Sequence, residues 1–318
     1  MDSRLADFLI ALSTDSRRLD AFEADPESAM AAAGLSAVER EAVRSRSPRL
    51  IRSALKARPT GRLTVVGTGM RPSQLTPQAR LALERAQKVF YLLPDPAAAG
   101  WIHALNGTAE SLRPTLDGPE SGGDPHGPLV EAVLAPVRLG FSTCAAFFGH
   151  PGVLMYPARL VVRRCRQEGF PAEMLPGVSA QDCLYADLGV DPGQAGCQSY
   201  EATDFLVHRR QFDPTSHLIL WQIGAMGTMS TPPRPPTDGL RILAEALAPS
   251  YGPGHRVTVY EPDTGGGAAP RIEESALAEL PGVAVELHSM LYVPPLAPRP
   301  IDPGLLARMG LSAGPSKE

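Results

Sequence analysis

Three stretches pair an apolar run with a glycine bend that could bring backbone against a ligand: VVGTGM (65–70), GHPGV (149–153) and LPGVS (175–179). Glycine lacks the Cβ that holds a neighbouring group at a distance, so such bends suit a flat or extended ligand. The first is not a dinucleotide fingerprint. Pro72 stands where G-x-G-x-x-G needs its third glycine, and no clear acidic ribose binder ends a second strand. In the second, Gly149, His150, Pro151 and Gly152 force a rigid bend at the carboxyl end of an apolar run, where open α/β sheets bind ligands. His150 by itself reads as a structural histidine bonded to backbone. In the third, Pro176-Gly177 bends the chain and Ser179 stands where a helix cap is expected. That leaves helix-start N–H groups open to an anionic group such as a carboxylate. G-x-S-x-G, a Walker loop and HExxH are all absent from the sequence. Cys144, Cys165, Cys183 and Cys197 form no C-x-x-C pair and no zinc spacing, so they read as core residues and no metal is expected.

The elements that position these bends can be read from periodicity and punctuation. Strand runs fall at 62–66, 88–93, 142–148 and 172–176, with helices expected at 76–87, 128–138, 158–168 and 179–187 between and after them. Strands alternating with helices at this spacing predict a parallel-type sheet in an α/β fold. From about residue 200 the pattern changes. Strands are expected at 217–224, 256–261 and 289–295, a helix at 239–248 and a short helix near 274–280. A second α/β domain follows from this, with a cleft between the two as the usual ligand place. Residues 1–57 read as helix throughout. Leu5, Phe8, Leu9 and Leu12 share a face, Asp15 caps a second helix carrying Leu19 and Phe22, and Asp25-Pro26 starts a third. Gly34 ends that helix, Ser36 and Glu39 form a capping box for a fourth, and Ser47-Pro48 opens a fifth. So short a helical domain is marginal alone and is expected to lean on something else. The expected domains are 1–57, 58–200 and 201–318.

Composition narrows the class. The 318 residues are 43% hydrophobic and 20% charged, enough for a large core. A net charge of −4 gives no basic footprint for nucleic acid. No apolar run is long enough for a membrane span, and the amphipathic N-terminus carries acids rather than a signal peptide, so a cytoplasmic chain is expected. The 33 prolines and 30 glycines concentrate at 117–128, 231–236 and 262–270, which read as loops.

Taken in order, TVVGTGM, KVFYLLPDPAAAGWI, FFGHPGV, EGFPAEMLPGVSAQDCLYADLGVDP, GCQSYEATDFLV and HLILWQIG resemble the tetrapyrrole-methylase superfamily. More closely, they resemble the borosin peptide-backbone N-methyltransferases of the omphalotin type, over about residues 61–310. The resemblance implies a two-domain tetrapyrrole-methylase-like α/β fold with S-adenosylmethionine (SAM) between the domains. By motif position the cofactor contacts would be Phe148, Gly149, His150, Val153, Leu154, Ser179, Ala180, Tyr200, Ala202, Gln222 and Gly224. It also implies an intertwined homodimer that makes ribosomally encoded peptide natural products. Residues 1–57 are similar to the small helical domain with which borosin precursors clasp the methyltransferase, and to the alpha subunit of protocatechuate 4,5-dioxygenase. In fungal borosins that domain follows the catalytic one, whereas here it precedes it. No core-like run of small apolar residues follows Tyr292, so the expected substrate is a separate peptide, methylated in trans.

The departures from the family bear on the chemistry. An amide nitrogen must lose its proton to accept a methyl group. The family uses tyrosines and an arginine for this, including a tyrosine immediately before GHPG. Here that position is Phe148, and the other positions fall at Leu116, Gly122 and His126 in TLDGPESGGDPHGP, which holds no tyrosine or arginine. His126 is the candidate base, while Glu120 and Asp124 read as solvated loop charges. Two alternatives stand beside peptide methylation: a SAM-binding homologue without turnover, and methyl transfer to another nucleophile such as a carboxylate or histidine side chain.

Overall fold

The computed structural model describes residues 4–48, 51, 54–55, 61–94, 99–116, 125–227, 238–265, 269–297 and 300–311. The chain divides into two compact units, Met1–Ser179 and Ala180–Glu318. This division comes earlier than residue 200. CQSYE (197–201) is a strand of the second sheet, so the segment leading into it goes with the second unit.

The first unit begins with α1 (Arg4–Thr14), α2 (Ser16–Ala24), α3 (Pro26–Ala32) and α4 (Ala37–Arg44). The expected caps start them. The Asp15 carboxylate accepts the Arg17 N–H, and Asp25 accepts the Ser28 N–H ahead of Pro26 at the first helical position. Ser36 and Glu39 exchange both bonds of a capping box. The fifth expected helix lies partly outside the described residues. Leu5, Met30 and Leu35 are buried, and Phe8 meets Phe22 edge to face. This small core leans on the helix Gly127–Arg138 through the Arg4 side chain. The Arg4 guanidinium donates to the carbonyl of Gly34 and to that of Arg138, far along the chain.

The first sheet is fully parallel. Its strands are β1 (Arg62–Gly67), β2 (Lys88–Leu92), β3 (Ala109–Ser111), β4 (Ser142–Phe147) and β5 (Ala172–Leu175), in the order β3-β2-β4-β1-β5. Connecting helices are α5 (Pro77–Arg85), α6 (Gly100–Leu105), α7 (Gly127–Arg138) and α8 (Tyr156–Gln167). Both sheet faces are covered, which is why β1 and β4 carry adjacent apolar residues rather than an apolar–polar alternation. Leu63, Val65, Val133, Phe147 and Val161 pack on one side, and Val66, Leu83, Val89 and Ala146 on the other. Strand alternation therefore splits the two phenylalanines before GHPG. Phe147 is fully buried in the first cluster, and Phe148 is half-buried against the second.

Cys144 and Cys165 lie in these clusters, and burial pushes their thiols up to about 12 and about 11. The thiolate is the nucleophile, so iodoacetamide at pH near 8 should label neither until the chain is unfolded. Rapid native labelling of either, read by peptide mass spectrometry, would contradict their placement.

The second unit holds α9 (Ala180–Leu188), α10 (Pro192–Ala195), β6 (Cys197–Glu201), α11 (Ala202–Val207), β7 (His217–Trp221), α12 (Gly239–Tyr251), β8 (Arg256–Glu261), β9 (Arg271–Ala276), β10 (Met290–Val293) and α13 (Pro303–Arg308). The sheet order is β6-β7-β10-β8-β9, with β6–β7 parallel and the other pairs antiparallel. The short helix expected near 274–280 is formed only from Leu277 on, as a 3-10 helix, and its first residues are strand. Residues 271–276 pair with β8 in register from Glu261↔Arg271 to Arg256↔Ala276, and a 3-10 turn spans Leu277–Gly282. Arg256 pairs with Glu274 across that register, and Pro281 and Gly282 stop the turn. Among the described residues no helix is long and apolar enough to cross a membrane.

Candidate functional site

The three glycine bends meet. In the first sheet β1 and β4 are adjacent, yet the chain leaves β1 toward β2 on one side and leaves β4 toward β5 on the other. That makes their carboxyl ends the topological switch point, the usual ligand site of such sheets. Gly69 and Gly149 form an antiparallel bridge there, with N–H···O distances of 3.3 and 3.0 Å. Both have left-handed φ, +73° and +67°, which glycine adopts without strain. A Cβ on Gly67 would lie 2.4 Å from the Gly149 oxygen and 2.8 Å from the Gly177 Cα. The ends of β1, β4 and β5 thus form one cradle of bare backbone.

The GHPG bend is held from within. His150 Nδ1 accepts the Gly152 N–H at 2.9 Å, and the His150 carbonyl accepts the Val153 N–H at 3.0 Å. A Cβ on Gly152 would come 3.0 Å from His150 Cε1, so the ring occupies that space. The structural reading of His150 therefore describes its Nδ1. Leu154, next to the half-buried Val153, is 45% exposed with φ +50°. A leucine in the left-handed region stores roughly 1–3 kcal/mol of strain, a cost found mostly at functional sites. Ser179 is buried just ahead of α9, whose first residue is Ala180.

In the second unit the predicted residues also gather. Because β6 and β7 are parallel, with Glu201 opposite Trp221, their carboxyl ends coincide. Tyr200 and Ala202 flank Glu201 on one strand end, and Gln222 and Gly224 follow Trp221 on the other. Tyr200 packs beside Phe205, with ring centroids 5.7 Å apart, and Ala202 is fully buried. Gln222 is left-handed at φ +58°. A Cβ on Gly224 would fall 2.0 Å from the Glu286 carbonyl oxygen, so only glycine fits there.

His126 immediately precedes α7, and its half-buried ring lies 5.4 Å from that of Tyr156, tilted by 49°. Tyr156 opens α8, two residues beyond Leu154, and is 46% exposed. Sequence reasoning did not single out Tyr156. The available signal was a tyrosine soon after the bend, in a chain whose Phe148 lacks the hydroxyl. Leu116 stands at a turn after Arg113–Thr115, whereas Gly122, Glu120 and Asp124 lie outside the described residues.

Residues 62–281 match the family model described as Tetrapyrrole (Corrin/Porphyrin) Methylases. The chain is 35% identical over 259 residues to the gymnopeptides precursor of Gymnopus fusipes, named a methyltransferase/ribosomally synthesized cyclic peptide precursor, covering 80% of this chain and 62% of that protein. It is 34% identical over 261 residues to the correspondingly named omphalotin A precursor of Omphalotus olearius, covering 79% and 62%. The chain thus spans less than two thirds of the length of these relatives. Its fold is like that of uroporphyrin-III-C-methyltransferase from Thermus thermophilus, with a TM-score of 0.52 at 20% identity over 74% of this chain and 92% of that one. The resemblance drawn from the sequence blocks is borne out, and so is the α/β fold it implied: the chain belongs to the tetrapyrrole methylase family.

Proposed function

We propose that the chain is a SAM-dependent methyltransferase that acts on a separate peptide, as a homodimer in the cytoplasm, in the making of a ribosomally encoded natural product. The observation that carries this is the cradle of bare backbone at the switch point, in a chain similar to proteins named methyltransferase/cyclic peptide precursors. The cradle fits a ligand that must lie against backbone. Bound SAM supplies an electrophilic methyl group. The proposed contacts are Phe148, Gly149, His150, Val153, Leu154 and Ser179 in the first unit, and Ala180, Tyr200, Ala202, Gln222 and Gly224 in the second. The chain's remaining task is the acceptor's proton. Phe148 has no hydroxyl and packs on apolar residues, so this role is assigned to His126, with Tyr156 beside it.

The same Phe148 favours a second reading: a SAM-binding homologue without turnover, or transfer to a carboxylate or histidine side chain that needs less help with its proton. Titration calorimetry with SAM and S-adenosylhomocysteine, followed by mass spectrometry of co-expressed small peptides, separates these. Binding with a mass gain of one methylene on a peptide backbone supports the first. Binding with no methylated product supports a scaffold, and no binding removes the donor from both.

A further inference from the structure

Beside the GHPG bend, α8 and the edge strand β5 border a groove of about 540 Å³ lined by Arg159, Val162, Arg163, Arg166, Gln167 and Met174, whose Sδ lies 3.8 Å from where a Cβ on Gly152 would stand. Arg159, Arg163 and Arg166 fall at i, i+4 and i+7, on one helix face. Arg164, pointing elsewhere, pairs with Glu168 at 3.2 Å. Arg159 and Arg163 have no carboxylate partner among the described residues, and both are exposed. Like charges one turn apart repel, and the chain as a whole is negative, so this local excess of positive charge is not a by-product of composition.

The strand beside the arginines is open. The Leu63 N–H bonds the Pro171 carbonyl, so Pro171 faces β1. Alternation then turns the N–H and C=O of Ala172 and Met174 outward. Arg166 holds the outward Ala172 carbonyl, at 2.8 and 3.0 Å. The outward pair of Met174 has no partner among the described residues, and its side chain forms part of the groove.

We propose that this groove binds an acidic segment of a partner polypeptide in extended form. The segment adds as a strand at Met174 with the side chains of one face turned toward α8, so that their carboxylates meet Arg159 and Arg163 while their stems lie over the apolar floor of Val162 and Met174. An open backbone pair over an apolar floor suits a polypeptide strand better than a nucleic acid, and the chain's net charge opposes a long polyanion. None of the proposed donor contacts lines this groove, and the proposal stands whether or not the chain transfers a methyl group.

The test uses the full chain and a fluorescein-labelled decapeptide of alternating Glu and Val, read by anisotropy at low salt. Binding should weaken at least about tenfold when Gln replaces Glu in the probe, and equally in the double variant Arg159→Glu/Arg163→Glu. The Arg159→Lys/Arg163→Lys variant should keep most of the affinity. A probe with Pro in place of Val cannot donate to the edge and should also bind at least about tenfold more weakly. Thermal unfolding of each variant checks that the fold is intact. No binding of the Glu–Val probe, or unchanged binding by the charge-reversed variant, overturns the proposal. Unchanged binding of the proline probe overturns the strand addition, and tighter binding of an oligouridylate of equal length reassigns the groove to nucleic acid.

Discussion

Turnover by the His126→Ala variant falls by about 10²–10⁴-fold, the usual worth of a positioned proton acceptor, while affinity for S-adenosylhomocysteine stays within about twofold. The expectation follows from which side chains on and next to the GHPG bend are already committed. Phe148 contributes a ring without a hydroxyl, and it is committed to an apolar cluster with Val66 and Leu175. His150 spends Nδ1 on the Gly152 N–H. His126 and Tyr156 stand as a pair after these. Tyr156→Phe keeps the ring contact and removes only the hydroxyl, so a smaller loss, on the order of tenfold, is expected if that hydroxyl assists the histidine. Single-turnover kinetics with a co-expressed peptide substrate, set beside calorimetry with S-adenosylhomocysteine, give the decision. An unchanged rate in His126→Ala would show that the proton goes elsewhere. A rate lost together with nucleoside binding would make His126 a structural residue.

Replacing Gly67 by alanine is expected to cost about 3 kcal/mol, which corresponds to a drop in Tm of roughly 4–5 °C for a chain of this size. It should also weaken SAM binding by more than about tenfold, because the added atom meets only parts that cannot move independently. The new Cβ would be 2.4 Å from the Gly149 oxygen, 2.7 Å from Pro151 Cδ and 2.8 Å from the Gly177 Cα. These belong to two other bends, and one of them is pinned by the Gly69–Gly149 bridge. Gly100→Ala is the matched control. Nothing lies within 4 Å of its Cβ position, at the start of α6, so stability should change by less than about 1 kcal/mol, and toward greater stability. Thermal unfolding and calorimetry on the two variants decide the matter. If Gly67→Ala unfolds and binds like the parent, the three bends are not in contact.

The parts of this fold that were legible in the sequence are those whose signal is local. RLTVV and STCAAF end in adjacent apolar residues rather than an apolar–polar alternation because both sheet faces are covered, and Asp15, Asp25 and Ser36 announced their helices through caps that need only the next few residues. The strand at 271–276 was misread because RIEESALAEL is rich in helix formers. Pairing with β8 outweighs that preference. Strands β3 and β6 escaped for a related reason: AES and CQSYE are short or polar and lie at sheet edges. At the candidate site the glycine bends were visible one by one. Their mutual contact, the crowding of Gly224 by Glu286 and the placing of Tyr156 beside His126 were not. Each depends on segments far apart in the chain, and no periodicity records that.

The joint between the N-terminal helices and α7 has a consequence for how such chains evolve. Arg4 reaches out of the helices to a main-chain oxygen, that of Arg138 at the end of α7, and a carbonyl is present whatever residue stands there. The helices also carry their own interior, and among the described residues no strand of either sheet runs through them. A module attached in this way is transposable. It can be moved to another place in the polypeptide and still find the same main-chain mooring at Arg138.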